Sequence, residues 1–192
     1  MGRIASTFFT IGHSTRTIDA LVDLLREPGV ELLIDVRSMP RSRSNPQFNG
    51  ESLPAALAPW RIGYQHIAEL GGHRGNAHGM EPALNAYWQV RGFRNYADYA
   101  LTAPFAAGLA RLRALGSQQR CAIMCAEAVW WRCHRRIIAD YLLATGERVL
   151  HILDASRIEE ATLTPGAIVR SDATVVYPGE DATTRQRLHS AT

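Results

Sequence analysis

Short apolar runs alternate with stretches of helical spacing along most of this chain, and that order restricts the fold more than any other feature. The run from Leu32 to Val36 is almost continuously apolar, which is typical of a strand buried on both faces of a sheet. An earlier β-prone run at 8–11 is separated from it by apolar residues at helical spacing, namely Ile18, Leu21, Val22 and Leu25. The order strand, helix, strand predicts parallel pairing, because the chain must cross over between neighbouring strands.

The same order recurs further along the chain. It predicts strands from Ile62 to Ile67, from Cys121 to Cys125 and from Arg148 to Leu153, with a helix from about Arg132 to Thr145. We therefore predict one α/β domain over residues 1–153, with a mostly parallel sheet of about five strands flanked by helices. The periodicity weakens beyond 153, so residues 154–192 are predicted to form a C-terminal extension, in which 167–169 can pair with 174–177 as a hairpin before a flexible end.

Composition excludes several classes of protein. The chain is 46% apolar and 20% charged, and it contains no apolar run of the ~20 residues that cross a bilayer, so we expect no membrane association. Its first ten residues have no long apolar core or cleavage site typical of a secretory signal, which favours the cytoplasm. Cys121, Cys125 and Cys133 are therefore not expected to form a disulfide framework.

The positive charge is concentrated in the predicted domain. Residues 1–150 carry 17 arginines against 12 acidic residues, and the whole chain has no lysine. Each arginine offers a planar fork of donors that suits phosphate or carboxylate groups.

Polar and reactive residues follow the predicted strands. In a parallel sheet the carboxyl ends of the strands meet at one edge, where ligands bind. This arrangement brings together four segments, which are 12–16 with His13 and Ser14, 35–38 with Asp35 and Arg37, His66 with the glycine-rich loop, and 125–127 leading to 133–136, with Cys125, Glu127, His134 and Arg135. Four distant segments thus predict one positively charged hollow that contains a thiol.

Three of these residues are candidates for catalysis. Cys125 ends a buried strand before a loop and a helix, where the helix dipole and nearby arginines favour a thiolate, although a small buried side chain is an equal alternative. Glu127 is a candidate for proton transfer, for pairing with an arginine or for capping the next helix. His13 is a candidate general base or holds a backbone carbonyl in place.

The remaining candidates are predicted to bind substrate: Ser14, Asp35, Arg37, Arg135, His134 and Trp131. Asp35 and Arg37 point to the same side of a strand, so an ion pair is expected, and it can orient Arg37 towards a phosphate. Consecutive residues of a helix point about 100° apart, so at most two of Cys133, His134 and Arg135 share a site, with Cys133 turned inward. Trp131 can stack on a base.

Several of these motifs together resemble one known family. They are Thr10-Ile11-Gly12-His13-Ser14, Asp35-Val36-Arg37 followed by Pro40, Ser42 and Phe48, Leu70-Gly71-Gly72, Cys125-Ala126-Glu127 and Cys133-His134-Arg135. Over residues 8–153 the chain is similar to the domain of unknown function 488 family. The resemblance implies a compact cytoplasmic α/β domain and a site at this place, but it implies no reaction.

The sequence favours a cytoplasmic enzyme with an arginine-lined anion pocket and a cysteine, acting on a phosphate-bearing nucleotide or nucleic-acid ligand. One alternative is a non-catalytic nucleic-acid-binding domain, which the pI near 9.0 supports. Another is a cysteine redox or metal module. The cysteines are four and eight positions apart, which is unlike the usual spacing of zinc ligands, so we expect no metal and no cofactor.

Overall fold

A six-stranded sheet lies at the centre of the protein. The structure, a computed structural model, describes residues 5–75, 81 and 83–179. The sheet is formed by β1 (Thr7–Gly12), β2 (Leu32–Asp35), β3 (Gly63–His66), β4 (Cys121–Cys125), β5 (Arg148–Asp154) and β6 (Arg157–Glu160). Their order is β3-β2-β4-β1-β5-β6, in which β6 alone runs antiparallel to its neighbour. The predicted mostly parallel α/β fold is confirmed, with β6 as an additional edge strand.

Helices cover both faces of this sheet. They are α1 (Ile18–Arg26), α2 (Leu53–Leu57), α3 (Arg91–Tyr99), α4 (Ala103–Gly116) and α5 (Arg135–Ala144). The helix predicted from about 132 to 145 thus begins three residues later, at Arg135, because 130–132 form a separate 3₁₀ turn. None of the helices in the described ranges is long and apolar enough to cross a membrane.

Side chains alternate between two core layers along each strand. On one face, which we call the α5 face, Phe8, Ile34 and Ile123 pack with side chains of α3, α4 and α5. On the other, the α1 face, Ile11, Leu33 and Met124 pack with side chains of α1 and α2. β2 and β4 are buried along their whole lengths between these two layers, as expected for central parallel strands, which are covered on both faces.

The segment after 154 shares the core of the sheet domain. β6 extends the sheet, and β7 (Ile168–Val169) pairs with β8 (Val175–Val176) in the predicted hairpin. Tyr177, which directly follows β8, is fully buried in the α5-face core, and its hydroxyl donates a hydrogen bond to Asp140 Oδ2 of α5 at 2.8 Å. Ala161, Val175 and Tyr177 of the predicted extension thus belong to the α5-face core, so part of this extension packs against the sheet domain. The flexible end predicted beyond 179 lies outside the described residues.

Candidate thiol site

The loops at the carboxyl edge of the sheet are held in close contact. The backbone N–H groups of His13 and Ser14 donate to the carbonyl oxygens of Cys125 and Ala126 at 2.9 and 3.0 Å. A Cβ atom at Gly12 would lie 1.8 Å from the carbonyl oxygen of Glu127, so only glycine fits there. The loops that follow β1 and β4 therefore approach each other as closely as their backbones allow.

Strand register divides the predicted hollow into two clusters. Asp35 of β2 lies beside Met124 of β4, so both side chains point to the α1 face, and Cys125 points to the α5 face. Phe48, which contacts both His13 and Arg37, belongs to the α1-face core. We call Asp35, Arg37, His13 and Tyr64 the carboxylate cluster. We call Cys125, Cys133, His134 and Arg135 the thiol cluster.

In the carboxylate cluster, Arg37 is fully engaged by protein groups. Its Nε and Nη2 donate to the fully buried Asp35 carboxylate at 2.9 and 2.5 Å, and Nη2 also donates to the carbonyl oxygen of Phe48 at 2.6 Å. The Tyr64 hydroxyl donates to Asp35 at 2.8 Å. Burial disfavours the guanidinium cation, but hydrogen bonding and charge from Asp35 more than compensate and raise the pKa of Arg37. The ion pair predicted from sequence is present, and it occupies the guanidinium that was expected to bind phosphate.

His13 is held as a neutral imidazole in this cluster. Its Nδ1 lies 2.9 Å from the carbonyl oxygen of Ser14, which can only accept, so Nδ1 carries the proton. Nε2 then accepts from Arg37 Nη1 at 3.3 Å, and the ring stacks on Phe48. Burial is the main reason that the pKa of His13 is lowered. This geometry makes His13 a positioning residue for Arg37, because the lone pair that a general base needs is already used. Ser14 adopts a left-handed backbone conformation, with φ of 49°.

In the thiol cluster, several donors surround Cys133. Its Sγ accepts from the backbone N–H of Arg135 at 3.5 Å and from Arg135 Nε at 3.4 Å, and it lies 3.5 Å from His134 Nδ1. Cys125 Sγ, Cys133 Sγ and a ring nitrogen of His134 are all within 4.8 Å of one another. The sequence placed Cys133 inward, which agrees with its burial, but it allowed at most two of Cys133, His134 and Arg135 at one site. The structure brings all three together around the Cys133 sulfur, because Cys133 and His134 precede α5 and do not follow helical spacing.

The two thiols differ in acidity. Burial works against a charged Cys133, yet hydrogen bonding from Cys125 and the charges of His134 and Arg135 outweigh it and hold the pKa of Cys133 well below its ordinary value. Burial and the hydrogen bond to Cys133 raise the pKa of Cys125 well above its ordinary value. The proton of the pair therefore resides on Cys125. The thiolate predicted at Cys125 is favoured at Cys133 instead.

Arg135 is a buried cation rather than a group at the mouth of a pocket. Its side chain is 1% exposed, and Nη2 donates to the backbone carbonyl oxygen of Glu127 at 2.6 Å. Glu127 thus holds Arg135 through a main-chain carbonyl group, and Glu127 itself is exposed in the loop after β4. The pairing of Glu127 with an arginine occurs, but through the backbone.

The predicted glycine turn fixes His134. His134 Nε2 donates to the carbonyl oxygen of Val36 at 2.9 Å, which directs Nδ1 towards Cys133. A Cβ atom at Gly72 would lie 2.4 Å from His134 Nδ1, so glycine is required for this close approach. The Leu70-Gly71-Gly72 turn therefore contributes to the site by leaving room for the imidazole.

The aromatic residues near the cysteines have different surroundings. Trp131 is 41% exposed, as expected for a residue able to stack on a ligand, and Trp130 stacks on His151 with ring centroids 4.3 Å apart. His151 Nδ1 lies 2.7 Å from Thr10 Oγ1, and burial together with the charge of Arg135 lowers the pKa of His151 to about 4. His151 is not among the site residues predicted from the sequence. Its signal was a histidine inside the apolar run of β5, comparable to Asp35 in β2.

Cys125, Cys133 and His134 also present the donor types that bind zinc or copper(I). The hydrogen bond from His134 Nε2 to a carbonyl oxygen is the usual support for a ligating imidazole. However, Arg135 Nε already contacts the Cys133 sulfur, so a metal ion there would lie close to a second cation. The arrangement therefore suits a thiolate with an arginine counter-ion better than a metal centre.

Comparison with known proteins places most of this region in one family. The family described as "Domain of unknown function DUF488" matches residues 17–142. The match includes Asp35, Arg37, Cys125 and Cys133 to Arg135. No curated protein and no solved structure matches the chain significantly.

Proposed function

We propose a function from the site itself, since the chain belongs to the DUF488 family, whose description, a domain of unknown function, assigns no activity. The proposal is a thiol-dependent enzyme in which Cys133 is the attacking nucleophile. The observation that carries it is the position of Cys133 Sγ at the start of α5, where it accepts from both the backbone N–H and the Nε of Arg135. A helix N-terminus and a fixed guanidinium are the two features that most favour a thiolate.

Arg135, His134 and the carboxylate cluster each help to activate this thiolate. The Arg135 cation neutralises the charge of the sulfur. The carbonyl oxygen of Glu127 holds the other end of the guanidinium in place. His134 Nδ1, 3.5 Å from Cys133 Sγ, is placed to donate or accept a proton as the sulfur forms and breaks a bond. The carboxylate cluster acts at a distance by fixing the loop after β2, whose Val36 carbonyl orients His134.

The proposed substrate is a phosphate-bearing nucleotide or a nucleic-acid end. The support comes from the loop between the two cysteines, in which exposed Trp131 is followed by exposed Arg132. An aromatic face and a guanidinium at adjacent positions suit a base and a phosphate. Arg132 is the proposed phosphate contact in this loop, because Arg37, which the sequence also assigned to a phosphate, is buried and paired with Asp35.

Two measurements on the full-length protein test this proposal. The first is the ultraviolet absorbance of thiolate against pH, compared between the wild type and Cys133→Ser, Cys125→Ser and Cys121→Ser. We expect the transition at the lowest pH to disappear only in Cys133→Ser. Cys121 is a matched control because burial raises its pKa to about 12. A lowest transition that survives in Cys133→Ser would overturn the nucleophile assignment.

The second measurement concerns the substrate. Nucleotides and short oligonucleotides should quench tryptophan fluorescence and raise the melting temperature, and Trp131→Phe or Arg132→Gln should weaken both effects. Arg41→Gln is the control, because Arg41 pairs with Glu51 in an exposed loop on another segment. Binding by a protein whose thiols prove unreactive would favour the alternative, a non-catalytic nucleic-acid-binding domain.

A further inference from the structure

We infer that Cys125 and Cys133 form a reversible disulfide when a hydroperoxide oxidises Cys133. The inference rests on the proposed role of Cys133 as the thiolate and adds a role for Cys125 as the resolving thiol. It makes the site sensitive to the redox state of its surroundings.

The geometry supports closure of this bond. The two sulfurs lie within 4.8 Å of each other, and a disulfide bond is about 2.0 Å long, so rotation of the side chains must shorten the gap. Cys133 has extended backbone angles, φ −130° and ψ 149°, and lies before the first residue of α5. Because these backbone angles are extended rather than helical, the Cys133 side chain is not limited to the rotamers of a helical residue.

The third cysteine, Cys121, lies too far from Cys125 to form a disulfide with it. Cys121 is at the other end of β4, four residues from Cys125 on the same face of the sheet, a span of ~13 Å at the rise of a strand. Cys121 is buried like the other two cysteines, and all three are free thiols in the structure. Cys121 therefore provides a matched control for any reaction of buried thiols in general.

The chemistry proceeds in two balanced steps. The Cys133 thiolate attacks one oxygen of the hydroperoxide, the O–O bond breaks, and the sulfur becomes a sulfenic acid while the other oxygen leaves as hydroxide or alkoxide and takes a proton. The Cys125 thiol then attacks the Cys133 sulfur, forming the disulfide and releasing water. Two equivalents of an external thiol restore both cysteines by exchange and are themselves oxidised to a disulfide.

Cys125 is suited to the second step because its sulfur lies within 4.8 Å of the Cys133 sulfur, and the proton that it loses on attack leaves with the sulfenic hydroxyl as water. Both residues are 3% exposed, so the oxidant must be small, and the loop at 126–128 that follows Cys125 is exposed to water. Disulfide formation removes the nucleophile, so oxidation is expected to stop the thiol-dependent activity until a reductant acts.

The test uses the full-length protein in a Cys121→Ala background, reduced and then exposed to hydrogen peroxide. Trypsin cleaves after Arg132, which separates peptide 121–132 from peptide 133–135, and a disulfide reconnects them. We expect the linked pair, lighter by two hydrogen atoms than the two separate peptides, and its loss after treatment with dithiothreitol. In Cys125→Ser and Cys125→Ala no link should form, and dimedone should trap the sulfenic acid on Cys133. Thermal unfolding confirms that these variants are folded.

The outcomes separate this inference from the proposed function. Rapid alkylation of Cys133 without any linked peptide, and with equal dimedone trapping whether or not Cys125 is present, overturns the disulfide and leaves the nucleophile in place. A Cys133 that is neither alkylated nor oxidised overturns both. Stoichiometric zinc in the reduced protein also overturns both, because the sulfurs would then be metal ligands.

Discussion

Arg135 Nε donates a hydrogen bond to the sulfur of Cys133 at 3.4 Å, while Nη2 of the same guanidinium is held by the carbonyl oxygen of Glu127. The cation is thus fixed at both ends in a nearly fully buried position. A fixed charge in a buried site interacts strongly with a neighbouring thiolate because little water screens it. Together with Cys125 and His134, this contact favours the thiolate form of Cys133.

The first prediction concerns this charge. Arg135→Gln should raise the pKa of Cys133 and slow its alkylation at neutral pH by about tenfold or more, since one pKa unit corresponds to ~1.4 kcal/mol. The pH dependence of iodoacetamide alkylation measures the change. The alkylation rate of Arg135→Lys should lie between those of Arg135→Gln and the wild type, because lysine keeps the charge but loses the second contact to Glu127.

Arg136→Gln is the matched control for this experiment. The side chain of the neighbouring Arg136 donates to Thr164 Oγ1 at 2.9 Å and lies over the ring of Trp88, and this side chain makes no hydrogen bond to either cysteine among the contacts of the described residues. Its replacement should leave the alkylation profile unchanged. An equal shift in both variants would show that Arg135 acts through general stability rather than through the sulfur.

The sequence predicts the strands of this protein better than the contents of its site. β2 and β4 are recognisable because continuous apolar runs such as Leu32–Ile34 suit strands covered on both faces. The division of the site into two clusters depends on the register between Asp35 and Met124, which spacing within one strand does not determine. A shift of one residue would have placed Asp35 beside Cys125.

The choice between the two thiols was also beyond sequence reasoning. Cys125 is favoured from the sequence because it ends a strand, but the groups that lower the pKa of Cys133 are Cys125 itself, His134 and Arg135, which the fold gathers around the Cys133 sulfur. The ion pair of Arg37 with Asp35 was predicted more closely, because an acid and an arginine two positions apart in an extended chain point to the same side. The further contacts of Arg37 with His13 and Phe48 bring in distant segments that no local pattern shows.

The second prediction concerns the buried ion pair. Asp35→Asn should lower the free energy of unfolding by about 3–5 kcal/mol, because it leaves the Arg37 cation buried without its carboxylate. Chemical denaturation measures the loss. Glu51→Gln is the control, since Arg41 and Glu51 form an ion pair whose side chains are 74% and 78% exposed, and such pairs contribute at most ~1 kcal/mol. Similar losses in the two variants would contradict the structural role assigned to Asp35.

The third prediction is a pH dependence of stability. His151 has a pKa of about 4 in the folded protein against an ordinary value of 6.5, so between these values the unfolded chain binds more protons than the folded one. Stability should therefore fall as the pH drops from 6.5 to about 4, with a contribution from His151 of about 3 kcal/mol. Melting temperatures across this range measure the effect, to which His13 contributes in the same direction.

His151→Gln should flatten this pH dependence, because glutamine does not titrate. The variant also loses the stack on Trp130, so its melting temperature at neutral pH should be lower. His73→Gln is the control, since His73 is exposed and its backbone makes the contact to Ser38. A slope in His151→Gln equal to that of the wild type would show that the buried imidazole is not responsible.

The fourth prediction tests whether residues 155–179 belong to the domain. Tyr177 is fully buried, and its hydroxyl donates to Asp140, whose other carboxylate oxygen accepts from the backbone N–H of Thr164 at 2.8 Å. Tyr177→Phe should destabilise the protein by about 1–3 kcal/mol, because it removes a donor from a buried carboxylate. Tyr99→Phe is the control, since Tyr99 donates to the carbonyl oxygen of Glu69 in an exposed contact and its loss should cost less.

A chain ending at 153 extends this test to the whole segment. It would lack β6 and the side chains of Val175 and Tyr177, which are fully buried in the α5-face core. Exposure of that core should prevent the cooperative unfolding transition that we expect of the full chain, because the apolar surface lost from burial contributes about 25 cal/mol for each Å². A truncated protein that melts cooperatively, at the temperature of the full chain, would support the boundary predicted at 153 and make the segment an appendage.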